Sequence, residues 1–251
     1  MRALVRWLWV FALPAFPVGG CNEVTPPPDT VQVRFSVHDL LDEQATLEGA
    51  TICQTETEPP NCVTTSADGV ATLELPANQK VSYTVEKEGY ESLLYPVLTG
   101  MAGVEYNRGS WHLSNAWLAD AFANLRSDYP MTDKGMIHVV IAPRFAGVTL
   151  DLVDATGKAW YKDEVDNWSA SLQATTSGGI ALVERFTSDG GFVEVVPGEH
   201  QVEIGGTALG CILGSGDGLV LGWPGDAPNR VLVPVRAGFS TRTAVACAEA
   251  P

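Results

Sequence analysis

Val31-Gln32-Val33-Arg34-Phe35-Ser36-Val37 alternates apolar and polar residues without a break. In an extended chain this puts Val31, Val33, Phe35 and Val37 on one sheet face and Gln32, Arg34 and Ser36 on the other, which describes a half-buried strand. The same period of two returns at Ala71-Thr72-Leu73-Glu74-Leu75 and Val81-Ser82-Tyr83-Thr84-Val85, with Asp68-Gly69 and Pro76-Ala77-Asn78 as the turns between them. The second half repeats the scheme at Ile137-His138-Val139-Val140-Ile141 and Val148-Thr149-Leu150-Asp151-Leu152. Further strands are expected at Phe192 to Val196, Gln201 to Ile204, Val231 to Val235 and Thr241 to Cys247. The pattern predicts a mainly β chain of two sandwich modules, over residues 31–98 and 135–251. Residues 99–134 read as a linker with a helix over 114–126. Ser114 is its N-cap, and Leu118, Ala121, Phe122 and Leu125 form one apolar stripe. The Asp128-Tyr129-Pro130 sequence should stop it, and so short a helix, marginal alone in water, should dock on a sandwich.

Composition narrows the function. The chain has 251 residues, 45% hydrophobic and 18% charged, which is globular rather than disordered or collagen-like. Its formal charge of −15, from 15 Lys and Arg against 30 Asp and Glu, repels nucleic acid phosphates and anionic lipid surfaces. No nucleic acid partner is expected. The four histidines, at 38, 112, 138 and 200, stand one at a time, so no metal site and no cofactor is predicted. Gly214-Ser215-Gly216-Asp217-Gly218 lacks the lysine of a phosphate-binding loop and the spacing of a nucleophile elbow, and reads as a flexible loop. The acids Asp151, Asp154, Asp163, Glu164 and Asp166 do not follow the alternation of a calcium loop and read as solvating groups. Nothing nominates a catalytic residue, and the chain is read as a non-enzyme.

The first residues are an address. Arg2 and Arg6 make a basic start, and Trp7 to Val18 is apolar apart from Pro14 and Pro17. As a helix, about 12 residues reach roughly 18 Å against a hydrocarbon core of about 30 Å, so the run cannot span and residues 1–20 read as a signal peptide. Val18-Gly19-Gly20-Cys21 resembles a bacterial lipobox, which implies a diacylglycerol thioether on Cys21 after cleavage and a membrane partner reached through lipid. Residues 21–30 contain Pro26-Pro27-Pro28 and form a stiff tether. Asn22, by resemblance to enterobacterial sorting, fits export to the outer membrane of a Gram-negative-type envelope.

Cysteine parity agrees. Five is an odd number, and lipid on Cys21 leaves Cys53, Cys62, Cys211 and Cys247, which allow three pairings. The sequence-local one, Cys53 with Cys62 and Cys211 with Cys247, is expected. On the loop-entropy account the short loop contributes about 2–3 kcal/mol and the longer one about 4.

The halves also echo each other. Thr65-Ser66-Ala67-Asp68-Gly69-Val70 with Pro76 is matched by Thr187-Ser188-Asp189-Gly190-Gly191-Phe192 with Pro197, and Glu48-Gly49-Ala50-Thr51-Ile52 by Phe145-Ala146-Gly147-Val148-Thr149. At Gly49-Ala50-Thr51, Ser66 to Ala71, Leu75-Pro76 and Lys87-Glu88-Gly89-Tyr90 the chain resembles carboxypeptidase regulatory-like domains of the transthyretin-like, prealbumin type. The resemblance covers residues 31–98, more loosely 135–250, and implies Ig-like or transthyretin-like sandwiches with accessory, binding or structural roles. In the second half, the longer spacing holds Trp160, Tyr161, Trp168 and a Gly178-Gly179 break. Those three aromatics are the candidate ligand-binding residues, since exposed rings stack on sugars or anchor a protein, although core packing accounts for them equally. The expected function is a cell-envelope lipoprotein presenting sandwich modules for structural or partner-binding roles. The alternative is a surface carbohydrate-binding module, with an envelope protein or a glycan as partner.

Overall fold

The computed structural model describes residues 29–42, 44–143, 146–163, 167–176, 188–216 and 219–249. The first half forms β1 (Thr30–Asp39), β2 (Thr51–Gln54), β3 (Cys62–Thr64), β4 (Val70–Pro76), β5 (Lys80–Glu86), β6 (Ser92–Leu98) and β7 (Glu105–His112), followed by α1 (Asn115–Asn124). The second half forms β8 (Gly135–Ala142), β9 (Val148–Leu152), β10 (Lys158–Lys162), β11 (Trp168–Ser169), β12 (Ser188–Val195) and β13 (Gly198–Gly206). It continues with β14 (Ala208–Leu213), β15 (Ser215–Gly216), β16 (Leu219–Leu221), β17 (Trp223–Pro224), β18 (Arg230–Val235) and β19 (Phe239–Glu249). Every alternating stretch is a strand, and the mainly β class holds. In β1 the four apolar residues are fully buried while Gln32 and Arg34 face solvent.

Among the described residues three sheets result: β4-β1-β7, β17-β18-β13-β9, and a twelve-stranded sheet ordered β11-β10-β12-β8-β19-β6-β5-β2-β3 with β14, β15 and β16 off this path. The halves share a plan. β1 lies between antiparallel β4 and parallel β7, as β8 lies between antiparallel β12 and parallel β19. The antiparallel run β2-β5-β6 corresponds to β9-β13-β18. A threonine latch recurs before β2 and β9. Gly49 and Ala50 donate to the Thr65 carbonyl (3.0 Å) and hydroxyl (2.8 Å), and Gly147 and Val148 donate to those of Thr175 (2.9 and 3.0 Å). Both latches begin at a glycine with positive φ, 71° and 83°.

Two expectations change. Asp68-Gly69 is a turn, with Gly69 at φ 72°, but Asp189-Gly190 lies inside β12, opposite Val140 and Val139. The likeness of the two halves is therefore carried by topology and by Thr65 and Thr175, not by a repeated Asp-Gly turn. The stretch 99–134, expected as linker, supplies β7, which pairs with β1 from Gln32 to Asp39. Its sequence, Glu105-Tyr106-Asn107-Arg108-Gly109-Ser110-Trp111-His112, has no apolar alternation because the side chains it buries are Ser110 and His112.

The pairing of β19 fixes where the cores lie. Phe239, Ser240 and Thr241 run parallel to Ser92, Leu93 and Leu94, and Thr241 also faces Ile137. Directly paired residues project to the same face and successive residues alternate. Leu93 and Tyr95 thus share a face with Ser240 and Arg242, while Ile137, Val139 and Val245 share the opposite one. Leu93 and Tyr95 pack with Val33, Phe35 and Leu73, whereas Ile137, Val139 and Val245 pack with Val202, Ile204 and Val233. The two cores sit on opposite faces of one sheet.

Helix α1 is where its stripe predicts. Ser114 accepts from the Trp117 amide, and Leu118, Ala121, Phe122 and Leu125 pack on Met136, Trp160, Trp168 and Val193. By the same face argument, it covers the β8–β12–β10 part of the large sheet on the side of the first core. The disulfides are Cys53–Cys62, joining β2 to β3, and Cys211–Cys247, joining β14 to β19, each with Cα atoms 4.1 Å apart. This is the sequence-local pairing.

Candidate functional site

The charged groups of greatest consequence lie where the halves meet. Arg242, in the middle of β19, is 9% exposed; its guanidinium pairs with the Glu91 carboxylate and donates to the Trp111 carbonyl at 2.7 Å. Glu91, 3% exposed, also accepts from the Leu113 amide at 3.0 Å. The network continues through His112, whose Nδ1 meets the Glu91 carbonyl and whose Nε2 meets the Ser110 hydroxyl, both at 3.1 Å; Ser110 then meets the Tyr95 hydroxyl at 3.1 Å. Four elements, β19, the start of β6, β7 and the entry to α1, are held by one buried polar chain. Burial pushes the Glu91 carboxyl up against the opposing pull of Arg242. Burial, then the Arg242 charge, pushes His112 down to about 3.

The sign of the pH effect follows. A histidine depressed from 6.5 contributes stability that is complete above that value and is lost as pH falls toward 3, at up to about 1.4 kcal/mol per pH unit. Glu91, raised on folding, acts in the opposite sense, so the test compares variants. Between pH 6.5 and 4.5 the wild type should lose about 2 kcal/mol more stability than His112→Gln in urea titrations. Parallel profiles would contradict the assignment.

One strand over, His138 of β8 lies under α1. Its ring meets Trp160 edge-on at 5.2 Å, and Trp160 stacks on Trp168 at 4.2 Å with 18° between planes. His138 Nε2 is 3.8 Å from Asp189, too far for a hydrogen bond, whereas Lys162 Nζ is 2.5 Å from the same carboxylate. Burial raises the Asp189 carboxyl, but the Lys162 ammonium 2.5 Å away outweighs it and holds it well below the ordinary carboxylate range. Burial lowers His138, partly offset by Asp189, so at neutral pH the imidazole is uncharged beside an ionised Asp189–Lys162 pair. This arrangement orders strands β8, β10 and β12.

The ligand-binding expectation for Trp160, Tyr161 and Trp168 is corrected here. They are 0%, 2% and 2% exposed, with the two indoles beneath α1 and the Tyr161 hydroxyl accepting from the Leu150 amide at 2.8 Å in the second core. Rings so enclosed have no face left for a sugar. Strand β10 alternates, so Trp160 and Tyr161 enter different cores; the insertion's length hid this in the sequence. Sequence reasoning missed Glu91, Asp189 and Arg242, whose signal is a charge beside or within a run of uncharged residues: Glu91 before Ser92 to Leu98, Asp189 before Gly190 to Val193, and Arg242 between Ala237 and Ala248.

The other expected sites are placed as follows. Residues 1–20, Cys21 and the tether to Pro28 lie outside the described residues, as do Glu164, Asp166, Gly178-Gly179, Asp217 and Gly218. Ser215-Gly216, read as loop, pairs with Val220 and Leu219. His200 Nε2 donates to the Val196 carbonyl (2.8 Å) and its Nδ1 faces Asp154 at 3.5 Å, and Tyr90 donates to Asp39 at 3.0 Å. Among the described residues no group of three His, Cys, Asp or Glu side chains is placed to hold a metal, and no helix is long and apolar enough to cross a membrane. A groove of about 800 Å³ runs beside β14, lined by Leu98, Ile204, Ile212, Leu213 and Val231 among others.

No protein-family model and no curated protein matches the sequence. Solved structures resemble it distantly. The Bacillus anthracis TIE protein is 10% identical, with a TM-score of 0.29 over 87% of this chain, which spans only 34% of that protein. GBS52, the minor pilin of Streptococcus agalactiae, is 10% identical with a TM-score of 0.27, over 88% and 96% of the two chains. The CBM26-family module of Amy13K from Eubacterium rectale, solved with maltoheptaose, is 10% identical with a TM-score of 0.28, over 88% and 97%. Likeness at this level carries no functional argument, and the carboxypeptidase regulatory-like resemblance gains no family match; the β-sandwich architecture stands on the strand order itself.

Proposed function

We propose that the chain is a non-enzymatic lipoprotein of the cell envelope, anchored through lipid on Cys21. Its acidic sandwich modules serve a structural or partner-binding role. The observation that carries this reading is the cysteine pairing: Cys53–Cys62 and Cys211–Cys247 are bonded, which leaves Cys21 as the odd sulfur of five. Two disulfides suit an oxidising compartment, and an unpaired thiol at the head of an exported chain is accounted for by a thioether. The lipobox-like Val18-Gly19-Gly20-Cys21 supplies the attachment chemistry, and a stretch of prolines before β1 holds the first sandwich off the bilayer. With a net charge of −15, attraction to anionic headgroups cannot anchor the protein, so the acyl chains must. Asn22 favours the outer membrane as the destination.

Cys21→Ser should move the protein from the membrane pellet to the soluble fraction and abolish incorporation of labelled palmitate. Retention in the pellet with label still attached would defeat the reading.

A further inference from the structure

His138 stands in the middle of β8 with nothing to bond to. Both ring nitrogens are buried, and neither has a hydrogen-bond partner among the described residues. The same holds for Nε1 of Trp160, Nε1 of Trp168, Oδ1 of Asp189 and Nε of Arg242. These side chains adjoin. Both indoles meet the imidazole edge-on, at 5.2 and 6.3 Å, Asp189 lies 3.8 Å from Nε2, and Arg242 is the ladder partner of His138 on β19. Buried polar groups are normally satisfied, so a cluster of unmet ones marks a site whose closed form is held against a cost.

The charges around it leave no place for another proton. Facing His138 are Arg242 from β19, Asp189 from β12 and Lys162 from β10, with Glu91 and His112 behind Arg242. Lys162 is matched by Asp189 and Arg242 by Glu91. Further along β10, Lys158 is paired with Glu194. Strand β11 brings Trp168 and no charge, and the one ionisable residue of α1, Asp120, is exposed. Tyr129, after the helix, keeps its proton throughout, burial holding its hydroxyl up at about 12. A proton on His138 is therefore a third cation among anions already engaged, on a side chain 8% exposed.

What covers the cluster is α1, a helix of ten residues. It belongs to no sheet, neither disulfide reaches it, and it rests on Met136, Trp160, Trp168 and Val193 by its apolar stripe. Beyond that packing, its ends are held by the bridge between Tyr90 and Ser114 and by Lys158 Nζ, which donates to the Arg126 carbonyl at 2.8 Å. A helix this short is marginal alone, whereas β8, β10 and β12 are fastened by ladders, so α1 is the part that lifts most readily.

We propose that α1 is a lid released by acid: a proton on His138 is accommodated only when the helix leaves the sheet, which lets water reach the imidazole and bares Trp160 and Trp168. The direction agrees with the burial of the ring, which lowers His138 from its ordinary 6.5. The closed form is thus fully favoured above that value and loses ground as pH falls below it.

The test is hydrogen exchange on the full chain at pH 7 and pH 5, each amide corrected for its intrinsic rate. Opening of α1, read from Leu118 to Leu125, should increase by up to about thirtyfold, since one proton shifts an equilibrium at most about tenfold per pH unit below 6.5. Amides of β13 and β18 should stay protected, and acrylamide should quench tryptophan fluorescence more strongly at pH 5. His138→Phe should abolish both changes, with His138→Gln as the second variant if the first folds poorly, whereas His112→Gln should keep them. A helix as protected at pH 5 as at pH 7 overturns the proposal. So does release that persists without His138, release that disappears in His112→Gln, or loss of β13 and β18 protection in step with α1.

Discussion

Arg242→Met is expected to destabilise the protein by about 3–5 kcal/mol, because it removes one partner of a buried ion pair and leaves the other charged without compensation. Glu91 is 3% exposed, so solvent does not reach it to take over from the guanidinium. The Trp111 carbonyl also loses its donor, an added cost of about 1–3 kcal/mol when such a group is buried, part of which lies within the first figure. The double variant Glu91→Gln, Arg242→Met takes away both charges and should recover most of the loss, since an ion pair exchanged for uncharged groups of similar volume is close to neutral. Urea unfolding reads both effects. A single variant that loses less than about 1 kcal/mol would show that the pair does not fasten β19 to the first half.

Trp160→Ala is expected to cost about 3–5 kcal/mol, the range for emptying a core aromatic site. The indole is fully buried, stacked on Trp168 and in contact with His138, and α1 lies across the cluster, so the site cannot collapse without moving a helix. Met101→Ala, at an exposed position, should change stability by no more than about 0.5 kcal/mol. A Trp160→Ala protein as stable as the wild type would restore the surface reading of this residue and contradict its burial.

Local chemistry was legible in the sequence, and long-range pairing was not. Val31 to Val37 declares β1 because alternation is a property of neighbours; Ser114 and the Leu118–Leu125 stripe declare α1 for the same reason. The disulfides followed from spacing and parity. β7 escaped because what it buries, Ser110 and His112, is polar and finds partners only on β6 and at Glu91. Asp189-Gly190 looked like a turn because a turn and a strand can share that dipeptide; what decides is that a Cβ on Gly191 would sit 1.9 Å from the Ile137 carbonyl oxygen, a closeness set by a strand 54 positions earlier. The aromatics of β10 and β11 were correctly seen as a group, but only the sheet register tells which core each enters. Arg242 shows the same limit: its neighbours in sequence are threonines, and its partner lies 151 residues away.

The central position of β19 bears on how the protein comes to be made. Of the described strands β19 is the last to be synthesised, and it fills the slot between β8 and β6. Every earlier length of chain leaves that slot open, with the sheet in two pieces and the Arg242 carboxylate partner unneutralised. Contacts so distant along the chain form slowly. A chain cut short before Phe239 is therefore expected to leave the two cores without the strand they share, so closure of the large sheet waits on its latest-made described strand.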